Sequence, residues 1–558
     1  PVFLVSLDTV RADHLAVYGY GRDTMPFVTG WAERETVVFE HAVSQDAWTL
    51  PAHITMLTGL YPKNHGVAPG VALSEQKTTL PEWLREHGYA SGGFTSVLWW
   101  LEPEYGFADG FDVYDTPPSY RNGFAANAKA LAWLDQRPFA DVFLFLHNYD
   151  AHGKSKKLGY TLPYEPALPE HACFSKAYIT PPTFQREGKE TPLASDLLMT
   201  ANRGEMDLTG EELGYIIALY DDALRSVDDA VREFLDGLRD RGLYDDALIF
   251  VTADHGESFG EHGKFLHEEA YEPCAHVPLL VKFPGGRFAG RRFADTVQLT
   301  DILPTVADVL GLPSPEGLDG QSLLAVLEGR AAARPLAYAR RHGVEAVYED
   351  GWKLLRDGAS SAHEIYHLRE DSKEQRNRLE DNPEPFEELR AELARFYTPS
   401  PGGWHIAVVA GAEAAQLTFT LTTGAAFTSH APVRTAANAT FEATLGETRN
   451  RLDITVRVPA GETVEFVARS AINAAPLGVQ FKADTPVSTN ARAAEAAPVR
   501  EFLGTLEPDA FPSQEEVEQD NGVGKVMFWH VAMPGDAAAT PALTPEQMQE
   551  LEALGYVL

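Results

Sequence analysis

Short apolar runs alternate with amphipathic segments along the first 335 residues. Three of these runs, 2–7, 141–147 and 247–252, are rich in branched and aromatic residues, as buried parallel strands are. The segments between them place apolar residues at helical spacing, most clearly over 211–242. This alternation of strands with helices predicts an α/β domain.

Turn signals become frequent after residue 335. Short strands within 336–368, followed by a charged helix near 384–396, predict a small antiparallel sheet with one helix. Alternating Thr, Ala and Val between 404 and 500 is typical of a β-sandwich, with an accessory role in packing or in shaping the substrate site. A Thr-Pro pair at 544–545 predicts a short docked helix at the C-terminal end. The predicted domains are 1–335, 336–400, 401–540 and 541–558.

The charge of the chain restricts its partners. The 558 residues carry a net charge of −35 and are 44% hydrophobic, as suits a globular protein of two or three domains. So acidic a surface argues against nucleic acid and against an anionic membrane. A small anionic substrate binds only where a metal ion and local cations reverse the field. Two cysteines, Cys173 and Cys274, are too few for a cysteine-based zinc site, and no apolar stretch approaches the roughly 18 residues of a membrane span.

The sequence starts at Pro1, directly before the first strand pattern. Since natural chains rarely begin flush with a core strand, we expect an export or anchor segment that precedes this sequence. The expected location is therefore periplasmic or secreted, with a cytoplasmic one left open, and no oligomeric state is predicted.

Polar clusters follow all three apolar runs of the predicted sheet. Asp8 comes after the first, Asp150 and His152 after the second, and Asp254 with His255 after the third. Because the carboxyl ends of parallel strands meet at one edge of a sheet, these side chains are predicted to converge. Two carboxylates and an imidazole suit a divalent ion. Taken alone, Asp8 is equally well explained as a residue that caps a loop.

A hydroxyl lies at a predicted helix start in the segment 46–62. Pro51 suits the first turn of a helix, which places Thr49 at or near the N-cap. Free backbone N–H groups favour an anion there. A hydroxyl beside an anion site is a candidate nucleophile for a phosphate or sulfate ester, provided that a metal lowers its pKa. The alternative is a threonine that only caps its helix.

Further polar residues near these clusters are candidates for a second ion or for contacts with the ester oxygens. His53 and His152 are predicted to take part in catalysis, and His267 to bind metal beside Asp8, Thr49, Asp254 and His255. Lys154 starts a lysine-rich run that would equally suit a solvated loop. The predicted substrate-binding residues are His152, His267, Lys264, Lys154 and Asn148.

Residues 1–380 resemble the sulfatase branch of the alkaline phosphatase superfamily, and 400–540 do not. The resemblance implies an alkaline phosphatase-like mixed sheet sandwiched by helices, a small C-terminal antiparallel subdomain and one or two divalent ions per chain; the β-sandwich-like domain is an addition. In the family, the position of His152 binds substrate. The matching segments are Asp8-Thr-Val-Arg-Ala-Asp-His, Thr49-Leu-Pro-Ala-His, His147-Asn-Tyr-Asp-Ala-His152, Ala253-Asp-His-Gly-Glu257, Thr300-Asp-Ile-Leu-Pro-Thr305 and Glu364-Ile-Tyr-His-Leu-Arg-Glu-Asp371.

The departures from the family pattern concern the nucleophile. Sulfatases of the family carry Cys or Ser at the position of Thr49 and oxidise it to formylglycine. Threonine cannot give that aldehyde, because its β-carbon bears a methyl group. His53 replaces the family's Arg, and Thr9 follows Asp8 where many members have a second Asp. A threonine nucleophile resembles instead the phosphodiesterases, phosphonate hydrolases and phosphoethanolamine transferases; in the last group the position of His267 lies by the metal.

We therefore expect a metal-dependent hydrolase of phosphoric esters, acting on a monoester, diester or phosphonate ester through a covalent phosphothreonine at Thr49. Zinc or manganese is favoured, and calcium or magnesium is allowed by the oxygen donors. One alternative is a sulfatase that lacks formylglycine. Others are a phosphoethanolamine-type transferase, in which an alcohol accepts the group, and a binding protein without activity.

Overall fold

The structure of the chain is a computed structural model. Its described residues fall into two compact units, one within 1–397 and the other within 403–531. No helix in the described part of the chain has the length and apolar character that crossing a bilayer requires. The described residues are 1–68, 71–137, 141–186, 191–357, 362–397, 403–410, 414–423, 427–434, 439–445, 451–460, 463–470, 477–489, 499–506 and 524–531.

The first unit contains the strands and helices predicted for an α/β domain. Its strands are β1 Val2–Leu7, β2 Val37–Val43, β3 Ala90–Phe94, β4 Val113–Asp115, β5 Val142–Asn148, β6 Leu248–Thr252, β7 Ser258–Phe259, β8 Phe265–Leu266, β9 His276–Lys282, β10 Arg291–Phe293, β11 Val297–Gln298, β12 Leu336–Arg341, β13 Val344–Glu349, β14 Trp352–Asp357 and β15 His363–His367. Its helices are α1 Pro26–Glu35, α2 Thr49–Thr58, α3 Pro62–His65, α4 Leu80–Glu86, α5 Gly123–Asp135, α6 Asp196–Asn202, α7 Gly210–Asp240, α8 Glu272–Ala275, α9 Ile302–Leu310, α10 Leu323–Leu327 and α11 Phe386–Tyr397.

The central sheet is mixed, with the strand order β10-β2-β9-β6-β1-β5-β3-β4 and β11 beside β2. β1 lies between β5 and β6 and runs parallel to both, whereas β9 is antiparallel to β6 and β2. All six residues of β1 are buried, as a strand covered by helices on both faces requires. The predicted fold class is confirmed.

The long helix α7 shows why the sequence forms its elements where it does. Thr209 and Glu212 make a reciprocal capping box at its start, and its apolar stripe packs into the main core. The preceding segment 153–207, predicted as a long irregular insertion, contains α6 and short single-turn helices within its described residues. The bidentate ion pair of Arg186 with Glu212 fastens this segment to α7.

The small antiparallel sheet β12-β13-β14-β15 forms as predicted, and α11 packs on it. Backbone hydrogen bonds join its strand β12 to the segment before α2: Arg340 N donates to Gln45 O at 3.2 Å, and Ala47 N donates to Arg340 O at 3.2 Å. This pairing places the end of β12 next to the start of the helix that carries Thr49.

The second unit is β-rich, and its described strands all pair in one sheet, in the order β18-β21-β16-β24-β22-β17-β20-β19 with β23 beside β22. Alternate residues of β20 are buried, which is the alternation seen in its sequence. The predicted helix at 541–558 lies outside the described residues. The strands are β16 Gly403–Val409, β17 Ala415–Thr423, β18 Phe427–Arg434, β19 Thr440–Leu445, β20 Arg451–Val458, β21 Thr463–Ser470, β22 Leu477–Thr489, β23 Val499–Leu506 and β24 Gly524–Val531.

Candidate active site

The predicted site residues meet at the carboxyl edge of the three central strands. Within the described residues, donor atoms of Asp8, Asp254 and His255 all lie within 4.8 Å of one another. Strand register explains this convergence: Leu7 of β1 pairs with Asn148 of β5, and Ser6 pairs with Thr252 of β6. The polar residues that follow β1 and β6 therefore leave the sheet side by side.

A tight turn after β1 orients the first carboxylate. Thr9 adopts a left-handed backbone conformation, with a φ of 58° that is unfavourable for a β-branched residue. Tyr220 of α7 braces the turn, because its hydroxyl donates to Thr9 O at 2.7 Å and accepts from Arg11 N at 3.0 Å. The strained turn also points Thr9 N towards Asp254, 3.3 Å from Oδ1.

Asp8 is fully buried and only partly hydrogen-bonded. Its Oδ2 lies 3.0 Å from His147 Nε2, while Oδ1 has no hydrogen-bond partner among the described residues. Burial, reinforced by the negative charge of Asp254, holds the pKa of Asp8 well above its ordinary value. The Lys154 charge and a hydrogen bond from the Thr49 side chain act in the opposite direction.

Asp254 and His255 are held so that one donor atom of each faces Asp8. Asp254 Oδ1 accepts from the backbone N of His255 at 2.9 Å, whereas buried Oδ2 has no hydrogen-bond partner in the part of the chain described. His255 Nδ1 donates to Gly256 O at 2.9 Å, which leaves Nε2 as the basic nitrogen, 3.4 Å from Asp254 Oδ2. Burial lowers the pKa of His255 to about 3, so its ring is neutral at pH 7.

Thr49 is the first residue of α2, and Trp48 occupies the N-cap without a side-chain capping bond. The Thr49 hydroxyl therefore does not cap the helix. Its Oγ1 lies 3.3 Å from His255 Nε2 and hydrogen-bonds to Asp8. The side chain is fully buried. Thr49 Oγ1 thus lies both at the start of α2 and beside the donor atoms of Asp8 and His255.

His53, one turn further along α2, has both ring nitrogens engaged. Nδ1 lies 2.8 Å from Thr49 O, and Nε2 lies 2.8 Å from Ser6 Oγ in β1. Its Nδ1 is also 3.6 Å from Asp254 Oδ2. The structure therefore gives His53, predicted as catalytic, the contacts of a positioning residue that fixes the start of α2 against the sheet.

Two further buried imidazoles adjoin the donor cluster. The His267 ring centre lies 4.5 Å from that of His255 and 5.1 Å from that of His152. The His152 ring stacks on the Tyr149 ring with their centres 4.1 Å apart, and His152 Nδ1 lies 3.0 Å from Gly153 O. Neither ring joins the group of mutually close metal donors, so the structure places the predicted ligand His267 beside that group.

Of the three other predicted substrate contacts, only Lys154 is a buried cation. Its side chain is buried, Nζ donates to Asp150 O at 2.9 Å, and burial lowers the pKa of Lys154 to about 8. The Asn148 amide is held by Asp150, whose backbone N donates to Asn148 Oδ1 at 2.8 Å. Lys264 is exposed, in contrast to the buried cluster, because it lies in the turn between Glu261 and β8.

Sequence reasoning gave no catalytic role to three residues that the structure brings to the site. His147 contacts Asp8 directly, and Glu257 accepts from the Tyr164 hydroxyl at 2.8 Å. Arg341 of β12 donates from Nε to His267 O at 2.9 Å, and its charge lowers the pKa of His255. Glu257 follows the Asp-His-Gly motif and could have been found there, whereas no local signal marks Arg341.

The mixed sheet and the buried cluster of two carboxylates and an imidazole at its strand ends are the features to compare with known proteins. The family model described as Sulfatase matches residues 1–312 of the 558, which is more than half of the chain. The chain therefore belongs to the sulfatase family. A second family model, N-sulphoglucosamine sulphohydrolase, C-terminal, matches residues 260–397.

Curated relatives include arylsulfatase K and a bacterial phosphatase-superfamily protein. Arylsulfatase K of Danio rerio is 31% identical over 194 residues, covering 32% of this chain and 37% of the relative. Human arylsulfatase K is 37% identical over 116 residues, which cover 21% of this chain and 22% of the relative. The chain thus matches well under half the length of these relatives. The multifunctional alkaline phosphatase superfamily protein PehA of Trinickia caryophylli is 25% identical over 408 residues, covering 59% and 77%.

Solved structures share the fold over 71% of this chain. BT4656, in complex with its substrate D-glucosamine-2-N,6-O-disulfate, superposes with a TM-score of 0.55 at 19% identity, covering 71% of this chain and 97% of that one. The phosphonate monoester hydrolase of Agrobacterium radiobacter gives 0.54 at 21% identity, covering 71% and 94%. Family models and named relatives therefore favour the sulfuric-ester alternative over the expected phosphoric-ester hydrolase.

Proposed function

We propose that the chain hydrolyses sulfuric esters without formylglycine, using the Thr49 hydroxyl as the nucleophile. The observation that carries this proposal is the position of Thr49 Oγ1 at the start of α2, hydrogen-bonded to Asp8 and 3.3 Å from His255 Nε2. A hydroxyl with these neighbours sits at a helix start, where the helix dipole favours a tetrahedral anionic ester.

The donor set fits one divalent ion. Asp8 Oδ1 and Asp254 Oδ2 are buried carboxylate oxygens without hydrogen-bond partners among the described residues, and a bare buried charge of this kind is costly unless a cation compensates it. His255 presents its basic nitrogen to the same point. Such an ion would lower the pKa of the Thr49 hydroxyl and neutralise charge on the transferring group. Mixed oxygen and nitrogen donors favour zinc or manganese, with calcium or magnesium possible on the oxygens alone.

In the proposed reaction, Thr49 Oγ1 forms a bond to sulfur as the bond from sulfur to the departing alcohol oxygen breaks. The hydroxyl proton passes along the hydrogen bond to Asp8 and then to the departing alkoxide, which leaves as the alcohol. Water then attacks the sulfur of the threonine sulfate ester, which returns the Thr49 hydroxyl and releases sulfate.

His267 is positioned to donate a hydrogen bond to the ester. Burial raises the pKa of Glu257 to about 8, so this carboxyl is protonated at pH 7. Its Oε2 lies 3.2 Å from His267 Nδ1 and can donate to it, which places the His267 proton on Nε2. Lys154 and Arg341 supply the positive charge that an anionic ester needs in so acidic a protein.

The test is a panel of aryl sulfates matched with phosphate monoesters, phosphate diesters and phosphonate esters of the same leaving group. We expect the sulfate to show the highest kcat/KM in metal-loaded protein. Faster turnover of a phosphorus ester would support the second candidate, phosphoric ester hydrolysis, which the threonine nucleophile itself favours. Transfer to an added alcohol would identify a transferase, and no turnover of any ester would leave only binding.

The charge of Lys154 should contribute to the basic limit of the activity. We expect kcat/KM of the unchanged protein to fall above pH 8, because Lys154 and Glu257 both lose a proton there. Lys154→Met should raise KM about 10- to 100-fold and leave only the decline that Glu257 causes, since a charged hydrogen bond is worth roughly 1.5–3 kcal/mol. The control is Lys157→Met, in the same lysine-rich run but exposed. An unchanged pH profile in Lys154→Met would exclude this role.

A further inference from the structure

A second group of metal-ligating side chains lies outside the catalytic cluster. Donor atoms of His41, Glu272 and His276 are all within 4.8 Å of one another. His41 lies where the pairing of β2 with β9 is irregular, between Phe39 and Ala42. Such bulges re-aim a side chain, and here the imidazole meets Glu272 of α8 and the first residue of β9.

The two imidazoles direct one nitrogen each towards the same carboxylate oxygen. His41 Nε2 lies 2.9 Å from Glu272 Oε2, and His276 Nδ1 lies 3.9 Å from it. His276 Nε2 contacts Glu40 O at 3.0 Å, and a carbonyl oxygen can only accept, so Nε2 carries the proton. The lone pair of His276 Nδ1 therefore faces a carboxylate oxygen, an arrangement that a cation between them would make favourable.

The remaining polar atoms of the group are held by neighbours, as the outer partners of metal ligands are. His41 Nδ1 lies 3.0 Å from Thr296 Oγ1. Glu272 Oε1 pairs with buried Lys353 Nζ at 3.1 Å, which leaves Oε2 for the imidazoles. Ordinary hydrogen bonds account for His41 Nε2 on Glu272 and for His276 Nε2 on Glu40 O, but neither of them involves His276 Nδ1, whose lone pair faces Glu272 Oε2.

The group opens onto a cavity. His41, Glu272 and His276 all line a cavity of about 1550 Å³, and their side chains are 20%, 8% and 19% exposed. An ion can therefore reach the three donors from solvent. With three protein ligands it would keep a coordination position open towards the cavity, as two histidines and one glutamate do in zinc sites.

We propose that His41, Glu272 and His276 bind a divalent transition-metal ion of the zinc class, in a site separate from that of Asp8, Asp254 and His255. The ion joins β2, β9 and α8. Through Lys353 it also adjoins the small antiparallel sheet. The site does not depend on which ester the protein hydrolyses.

The experiment counts ions bound to the full chain. Chelator-stripped protein is titrated with Zn²⁺ against a chromophoric chelator, and Co²⁺ absorption reports nitrogen ligation. We expect two sites in the unchanged protein and one in His41→Gln or His276→Gln. Thr296→Val keeps all three ligands and should weaken the second site about 10- to 100-fold. The control is His262→Gln, in the same cavity lining but outside the donor group, which should keep both sites.

The outcomes separate this site from the catalytic one. Asp254→Asn should lose the catalytic ion and keep the ion bound by His41, Glu272 and His276. The cobalt spectrum of this variant should disappear when His276→Gln is added. The proposal is overturned if the unchanged protein binds a single ion that survives in His41→Gln and His276→Gln, or if Thr296→Val binds as the unchanged protein does. If both ions persist in Asp254→Asn, the catalytic donor set fails and this site stands. Circular dichroism confirms that each variant is folded.

Discussion

Thr49→Ala should lower kcat/KM about 10⁴-fold, the scale on which loss of an attacking group leaves only binding and electrostatic catalysis. The change removes the hydroxyl that hydrogen-bonds to Asp8 and lies 3.3 Å from His255 Nε2, and it leaves both of these donors in place. It corresponds to about 5.4 kcal/mol of lost transition-state stabilisation. Steady-state rates on the preferred ester, with ion content measured in parallel, are the test.

Two variants of the same helix separate loss of the nucleophile from loss of structure. Thr49→Ser keeps a hydroxyl and should stay within about 10-fold of the original rate. Thr58→Ala, at the other end of α2, removes a hydrogen bond to Ile54 O of 2.7 Å and should cost about 1 kcal/mol of stability without changing turnover.

A covalent intermediate gives an independent readout of the mechanism. Acid quenching during turnover should yield a peptide that carries sulfate on Thr49, absent from Thr49→Ala. Turnover by Thr49→Ala near the original rate would refute the nucleophile and would point instead to direct attack by water.

The convergence of Asp8, Asp254 and His255 was predictable because it depends on strand order and direction alone. Each residue follows a continuous apolar run, and parallel strands bring such positions to one edge. The start of α2 was predictable within two residues from Pro51, although the cap belongs to Trp48.

Residues placed by loops could not be predicted in the same way. The burial of Lys154 depends on two backbone hydrogen bonds: Lys154 N donates to Pro163 O at 2.7 Å, and Lys154 O accepts from Ser195 N at 2.9 Å. Both partners lie in the irregular segment 153–207. No periodicity in the sequence sets such contacts. Arg341 reaches the site only because β12 pairs with the segment before α2, a contact across almost 300 residues.

The same limit applies to the second donor group. His41, Glu272 and His276 lie on three elements, and their meeting depends on a bulge in β2 that the sequence does not mark. Glu272 and His276 are four residues apart in the sequence. That separation predicts neighbouring metal ligands only within one helix, and α8 ends at Ala275, before His276.

In metal-free protein, the stability that Asp8 and Asp254 contribute should fall as the pH rises through their raised pKa values. Burial raises the pKa of both carboxyls, so between the ordinary and the raised pKa values the folded state holds protons on them that the unfolded state has lost. The contribution of these two carboxyls must then fall with rising pH, and it is fully present below the ordinary carboxyl pKa of about 4. Urea unfolding of chelator-treated protein at several pH values measures the slope.

A divalent ion should reverse this trend, because it replaces the protons that compensate the two carboxylates. At 100 times its Kd it adds about 2.7 kcal/mol, and the increment should grow with pH as protons compete less for the ligands. The measurement is made in His41→Gln, which removes the second proposed site.

Adding Asp8→Asn to the His41→Gln variant tests whether Asp8 and Asp254 cause both the fall of stability with rising pH and the stabilisation by the ion. The metal-free slope should flatten, since one of the facing charges is gone, and the metal increment should disappear. Asp301→Asn is the matched control: Asp301 is also buried with a raised pKa, but its oxygens accept from Gln298 N and Gln321 N. It should keep the full increment. If Asp8→Asn keeps the increment as well, the ion does not lie between Asp8 and Asp254, and the mechanism built on them fails with it.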